Sequence, residues 1–274
     1  MTLRTIPPGM VAPAVAAIDA RLDAIAREHG VAIPLAIESG SRAWGFPSPN
    51  SDYDCRFVFV RPLAHYLSPW PRRDVIETPV EGDLDVNGWD LAKAVRLLAG
   101  GNAVIVEWLM SPVIYRAEEQ FREEFLALAR RIADRRLIAR HYLHLGESFR
   151  DACLAADGAV SRKKILYALR PAVALRWLKL HEEAVAPMEL PTLLAGCDPP
   201  AGLADAVAEL IARKAEGAES DCEPLPQAVA AFIENELEAA RGAFQKRPPA
   251  VDGDARNAAE AFFRSTVQRL AVET

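Results

Sequence analysis

The chain has 274 residues, 51% of them hydrophobic and 26% charged, with a formal net charge of −6, a composition that excludes wide disorder and suits one large or, as expected here, two ordinary domains. No stretch approaches the roughly 18 consecutive apolar residues of a membrane helix, and the opening MTLRTIPPGM lacks a signal peptide's apolar segment, so the expected location is the cytoplasm, with no membrane partner. Cys55, Cys153, Cys197 and Cys222 lie far apart without a CxxC pair, which argues against a zinc cluster or a disulfide framework and leaves free thiols.

Residues 11–29 carry apolar side chains at helical spacing and stop at Gly30, predicting a helix. VAIPLAIE (31–38) and CRFVFV (55–60) are short, β-branched or aromatic runs that read as buried strands. After a Pro-rich segment come two candidate strands, DVIETPV (74–80) and DLDVNGW (83–89), with Glu81-Gly82 as the turn between them. Asp90 is placed to N-cap a helix ending at Gly100-Gly101, and Asn102 to cap AVIVEWLM before Pro112. From about residue 117 the pattern changes to long amphipathic helices with hardly a strand signal, and Pro199-Pro200, Pro224 to Pro226 and Pro248-Pro249 divide the remainder into three more helical pieces. The expected organisation is an α/β (α+β) domain with a mixed sheet over residues 1–116 and an all-helical domain over 117–274.

Charge is unevenly spread. Lys and Arg number 10 against 13 Asp and Glu in residues 1–115, 14 against 8 in 116–180, and 8 against 17 in 181–274. A basic middle segment can neutralise phosphates, and it can equally be a solvated helix face.

The chemistry concentrates in ESGSRAWGFPSPNSDYDCRFVFV, residues 38–60. Asp52 and Asp54 lie two apart at the start of a strand, so their side chains share a face. Paired acids repel unless a cation neutralises them, and hard cations such as Mg²⁺ take oxygen ligands. A D-x-D at a loop exit is also ordinary turn chemistry. Two features favour the metal: Gly40-Ser41 follows a strand, where a tight turn offers N–H groups and a hydroxyl to phosphate, and a third acid, Asp85 or else Asp83, lies on another strand.

A Gly-Ser turn, about ten residues, D-x-D and a later strand acid resemble the nucleotidyltransferases of the DNA polymerase β superfamily. The first motif, with DVNGWDLAKAVRLL, NAVIVEWL and KKILYALRPAVALRW, is more closely similar to the predicted nucleotidyltransferases of the RlaP type, associated with RNA repair, over roughly residues 33–190. That resemblance implies a polymerase β-like palm followed by a helical domain that assists nucleotide and acceptor binding. It implies that Gly40 and Ser41 hold an NTP triphosphate, that Asp52, Asp54 and Asp85 coordinate two Mg²⁺ ions, and that Asp85 helps to activate an acceptor hydroxyl. The favoured acceptor is an RNA end; a protein side chain, a small molecule or binding without turnover are the alternatives. The family commonly has Asn-Pro where this chain has Asn102-Ala103, a change that touches a local turn and no catalytic group.

Arg42 is in reach of a phosphate oxygen and equally of Glu38 or solvent. Lys163, Tyr167 and Arg170 fall on one helical face that could close over the nucleotide, or simply be solvated. Lys93 is a weaker candidate. His141 and His144 have metal-binding spacing without a third ligand nearby in sequence, and Arg136 with His141 forms the R-x4-H pattern of HEPN ribonucleases, too short to weigh. No P-loop, kinase or Rossmann signature and no motif specific for DNA is present. Trp44, inside the motif loop, is the tryptophan placed to shape a nucleotide pocket.

Overall fold

Alternation along the strands decides which side chains face which layer. The computed structural model describes residues 1–70, 72–154, 160–217, 222–223, 226–244 and 252–272, leaving aside the side chains of 153–154, 160–164 and 222–223. In chain order the first elements are β1 (Thr2–Thr5), α1 (Ala12–His29), β2 (Ala32–Ser39), α2 (Gly40–Ala43), β3 (Tyr53–Val60), α3 (Leu63–Tyr66), β4 (Val75–Glu77) and β5 (Leu84–Asp90). There follow α4 (Leu91–Ala99), α5 (Ala103–Met110), β6 (Ile114–Glu118), α6 (Glu119–Ile132), α7 (Arg135–Leu154), β7 (Val160–Ser161) and α8 (Arg162–Leu180). The chain ends with α9 (Leu190–Ala195), α10 (Leu203–Ala215), β8 (Cys222–Glu223), α11 (Gln227–Phe244) and α12 (Gly253–Leu270).

Six strands form one mixed sheet in the order β1-β6-β2-β3-β5-β4. β3 and β5 are parallel, and every other neighbouring pair in this sheet is antiparallel. The expected α/β character of the first third holds. β1 and β6 went unforeseen: TLRT is too short and polar to show alternation, and YRAE merges into the helical pattern that follows. β6 runs through position 116, so the sheet continues past the residue at which composition changes.

Tyr53, Cys55, Phe57 and Phe59 of β3 join Val86 of β5 in a cluster with Val15, Ile18, Leu22 and Ile25 of α1. Gly88 is required on this face, since a Cβ there would stand 2.2 Å from a Phe57 ring carbon. The opposite residues, Val58 and Val60, with Leu35 and Ile37 of β2, face the second layer and share one continuous core with α4 to α12. Asp54, Arg56 and Asp85 therefore point towards the side of the many helices. The caps form as expected: Asp90 accepts from the Ala92 N–H at 2.8 Å and Asn102 from Val104 N–H at 2.9 Å.

The helical region is not all-helical as expected: β7 and β8 pair antiparallel as a separate two-stranded sheet, too short to leave a strand pattern in the sequence, and the helices differ in packing and number. α8 is buried on nearly every side from Ile165 to Leu178, because α7, α9, α10 and α11 surround it; it is a central helix, and the expected amphipathic one is not found. The three prolines-bounded helices α10 to α12 are as expected, and α9 is additional. α12 returns to the first half, stacking Phe262 on Phe125 at 4.9 Å. Cys55 and Cys197 are free and buried, whereas the Cys153 and Cys222 side chains lie outside the described residues. Among the described residues no helix is long and apolar enough to cross a membrane.

Candidate functional site

The end of β2 and the start of β3 meet in an antiparallel pair whose register sets Ser39 opposite Asp54, and β5 sets Asp85 beside Asp54 in the parallel ladder. Two carboxylates thus stand side by side on adjacent strands and the same face. Between them lies a guanidinium: Arg56 Nη2 is 3.1 Å from Asp54 Oδ1 and 2.7 Å from Asp85 Oδ2, while Nη1 donates to the Asp85 carbonyl at 2.9 Å. Asn87 donates to the other Asp85 oxygen. Arg56 and Asn87 each follow an acid by two positions, so the strand period that paired Asp52 with Asp54 also pointed to them.

Gly40 closes the other side of Asp54. It has φ +63°, and a Cβ would lie 2.1 Å from Asp54 Oδ2. Only glycine permits both the left-handed conformation and the approach of this carboxylate to the backbone. Ser41 is buried, its hydroxyl donating to Ser51 Oγ at 2.9 Å, and Ser51 Oγ also accepts from the Ser48 N–H. The serine hydroxyl is thus engaged in folding the loop.

Arg42 braces the same loop. Its Nε and Nη2 donate to the carbonyls of Asp52 and Ser51 at 3.1 and 2.6 Å, and its guanidinium lies 3.9 Å from the Tyr53 ring centroid. Asp52 itself is exposed at the rim. Of the two candidate third acids, Asp85 takes the position beside Asp54, whereas Asp83 is exposed and contributes its carbonyl to the Tyr53 N–H at 2.7 Å.

Glu38 lies behind this centre, fully buried. Its Oε1 accepts from the Asp54 N–H at 2.8 Å and its Oε2 from the Tyr115 hydroxyl. Burial pushes its carboxyl up to about 8, against the hydrogen bonds from Tyr115 and Asp54, which favour the charged form. Nothing in the sequence distinguishes Glu38 from a surface acid except its place within an apolar strand.

The helical half reaches the motif loop at the residues that follow α2. The Leu190 N–H donates to the Trp44 carbonyl at 2.9 Å, and Lys214, completely buried, donates to the Phe46 carbonyl at 2.9 Å. Tyr167 packs edge-on against Trp44 at 5.2 Å and Phe46 at 6.0 Å. Arg170 is not on an open face: it is 3% exposed, with its guanidinium bonded to Glu107 at 2.7 Å and to the Met188 carbonyl, 4.8 Å from the Trp44 ring. Tyr167 and Arg170 accordingly meet the loop through Trp44, and the Lys163 side chain lies outside the described residues. Lys93 pairs with Asp74 at 3.1 Å. His141 is half-buried, burial lowering its pKa, beside His144.

Among the described residues no three acid, imidazole or thiol side chains are gathered as a metal cage. The donor types match a hard divalent cation, since Asp54 and Asp85 offer oxygen ligands only, with Asp52 two residues away, while Arg56 stands as the positive group between the pair.

A mixed sheet flanked by helices places the chain among α+β proteins, with paired acids and a Gly-Ser turn gathered at one end of the sheet. The family model described as RlaP, RNA repair pathway DNA polymerase beta family, matches residues 15–265, and the chain belongs to that family. It is also 35% identical over 218 residues to the uncharacterized protein YcgL of Bacillus subtilis (strain 168), a match covering 79% of this chain and 83% of that one. The family match extends past the segment 33–190 that carries the motifs, so α10, α11 and most of α12 belong to the family's common body.

Proposed function

We propose that the protein is a nucleotidyltransferase that moves a nucleoside monophosphate from an NTP to a hydroxyl, releasing pyrophosphate, with an RNA end as acceptor. The observation that carries this reading is Asp54 and Asp85 in register on parallel strands, with Gly40 of the Gly-Ser turn against Asp54. Asp52, Asp54 and Asp85 would hold Mg²⁺, two ions by the family's pattern. Bound there, Mg²⁺ would supply positive charge to offset that building on the phosphoryl oxygens.

The chain's own groups supply the rest. The amides opening α2 would receive the triphosphate, and Arg42, by fixing the Asp52 carbonyl, sets the height of the D-x-D segment against that turn. Asp85 would help to activate the acceptor hydroxyl, the role that the family resemblance gives it. Residues 117–274 would assist by holding the loop through Tyr167, Lys214 and Arg170, the last acting through Trp44.

The acceptor reading draws on charge. Arg130, Arg131, Arg136 and Arg140, at the end of α6 and the start of α7, make no ion pair with a described residue, and the first three are exposed. By contrast Arg135 between them is engaged with the carbonyls of Leu178 and His181. In an acidic protein, a run of unpaired arginines suits a phosphate backbone better than a protein side chain or a neutral small molecule.

The test is incubation of purified protein with Mg²⁺, labelled NTPs and total RNA. Mg²⁺-dependent label in RNA that disappears in Asp54→Ala and Asp85→Ala is expected. Label in protein instead would move the acceptor, and unchanged label in both variants would sink the site.

A further inference from the structure

We infer that Arg56 is a built-in counter-cation for the acid pair, holding Asp54 and Asp85 together without metal and competing with a divalent ion for them. The inference deepens the nucleotidyltransferase reading and rests on its assignment of these acids. One guanidinium makes both ion pairs, at 3.1 and 2.7 Å, and is further fixed by donation to the carbonyls of Asp85 and Cys55 at 2.9 and 3.1 Å. All three side chains are largely withdrawn from solvent, at 20%, 27% and 26% exposure, so the charges are weakly screened.

The remaining atoms of the pair are also taken up. Asp85 gives its second oxygen to Asn87, and the second Asp54 oxygen faces the Cα of Gly40. A cation arriving between the carboxylates therefore meets oxygens already facing a positive charge. It must displace the Asp54 or Asp85 arm of Arg56, or bind against its repulsion. Arg56 is thus a positioning residue: it holds the two carboxylates together across the strands and makes occupancy depend on a compensating anion such as the triphosphate.

The consequence is unusual in direction, since removing a site arginine should tighten metal binding. Mn²⁺ binding is measured by electron paramagnetic resonance on the full-length protein, with Arg56→Gln, Arg56→Lys and Asp54→Asn variants, alongside melting in EDTA and in Mg²⁺. Arg56→Gln is expected to bind Mn²⁺ about tenfold tighter or more, as befits one opposing charge withdrawn from a partly buried site. It should also melt lower than wild type in EDTA and recover with Mg²⁺. Arg56→Lys, with its charge on a single point, should fall between.

Equal Mn²⁺ affinity in wild type and both Arg56 variants, with binding lost in Asp54→Asn, would overturn the counter-cation role while leaving the metal site standing. Absence of Mn²⁺ binding in every protein would overturn both the role and the metal reading. Should Arg56→Gln fail to fold, the lysine variant carries the comparison: tighter binding than wild type supports the competition and unchanged or weaker binding refutes it.

Discussion

Lys214 on α10 reaches across 168 positions of sequence to donate its Nζ to the carbonyl of Phe46 at 2.9 Å, fully buried and 4.9 Å from the Phe46 ring centroid. A charged group carried into the interior to hold one carbonyl of the loop between Gly40 and Asp52 ties the helical half to the turn against Asp54. Replacing it by methionine keeps the volume and leaves that carbonyl unpaired, a loss of about 1–3 kcal/mol. Urea denaturation of Lys214→Met should show it, together with a loss of NTP labelling under conditions where the variant remains folded. Full labelling by the folded variant would mean the loop needs no brace.

Gly40→Ala combines two penalties at one atom. The backbone there has φ +63°, costing about 1–2 kcal/mol for a residue with a Cβ, and the new methyl would lie 2.1 Å from Asp54 Oδ2. Relief requires Asp54 to move by roughly an ångström, a displacement able to cost about 10²-fold in rate. Labelling should fall by that order with a smaller drop in melting temperature. A variant that loses stability and keeps its rate would show that Asp54 has room to spare.

Arg170→Met separates a structural arginine from a phosphate-binding one. Glu107 accepts from both Arg170 and Tyr142 at 2.7 Å inside the helical core. Removing one partner of such a pair leaves a buried carboxylate uncompensated and costs about 3–5 kcal/mol. The expected outcome is a large fall in urea midpoint, partly recovered in the double variant with Glu107→Gln. Loss of NTP binding at an unchanged midpoint would return Arg170 to the nucleotide.

How far the sequence showed this site depends on the range of the interaction. Gly40, Asp52, Asp54 and Asp85 announce themselves by spacing along strands, which is local, and the caps Asp90 and Asn102 do the same. Arg56 was available to the same reasoning, being two positions past Asp54, but lies inside a run whose apolar character draws the eye. Glu38 and Tyr115 find each other 77 positions apart, and Lys214 finds Phe46 across 168. Those contacts follow from the order in which strands pair and helices return, which no periodicity encodes. α8 shows the reverse error: lysine, tyrosine and arginine at helical spacing suggest a solvated face, and packing by four helices buries Arg170.

Glu38 gives the protein a pH dependence with a definite sign. Its carboxyl rises from 4.5 to about 8 in the folded chain, chiefly through burial. Between those values the folded state holds a proton that the unfolded state has released, so stability is fully present below 4.5, falls as pH rises through the window, and levels above about 8. Measured in EDTA, the wild type should lose a few kcal/mol relative to Glu38→Gln across that window, in urea titrations at several pH values. Parallel curves for the two proteins would mean that the carboxylate is charged throughout and that the Tyr115 and Asp54 donors outweigh burial.

The unpaired arginines set the last expectation. If Arg131, Arg136 and Arg140 contact a single-stranded RNA backbone, each neutralised phosphate releases condensed counterions, and the slope of log affinity on log salt becomes shallower by about 0.7 per contact removed. The triple alanine variant should therefore lose about 2 from that slope and weaken binding uniformly across sequences, because phosphate contacts carry no base information. Arg264, exposed and paired with Glu260 at 2.9 Å, serves as the control whose replacement leaves the slope unchanged. An RNA complex with the wild-type slope in the triple variant would place the backbone on another face, and transfer of label to RNA without measurable salt dependence would point to an acceptor end held by the site at Asp54 and Asp85 alone.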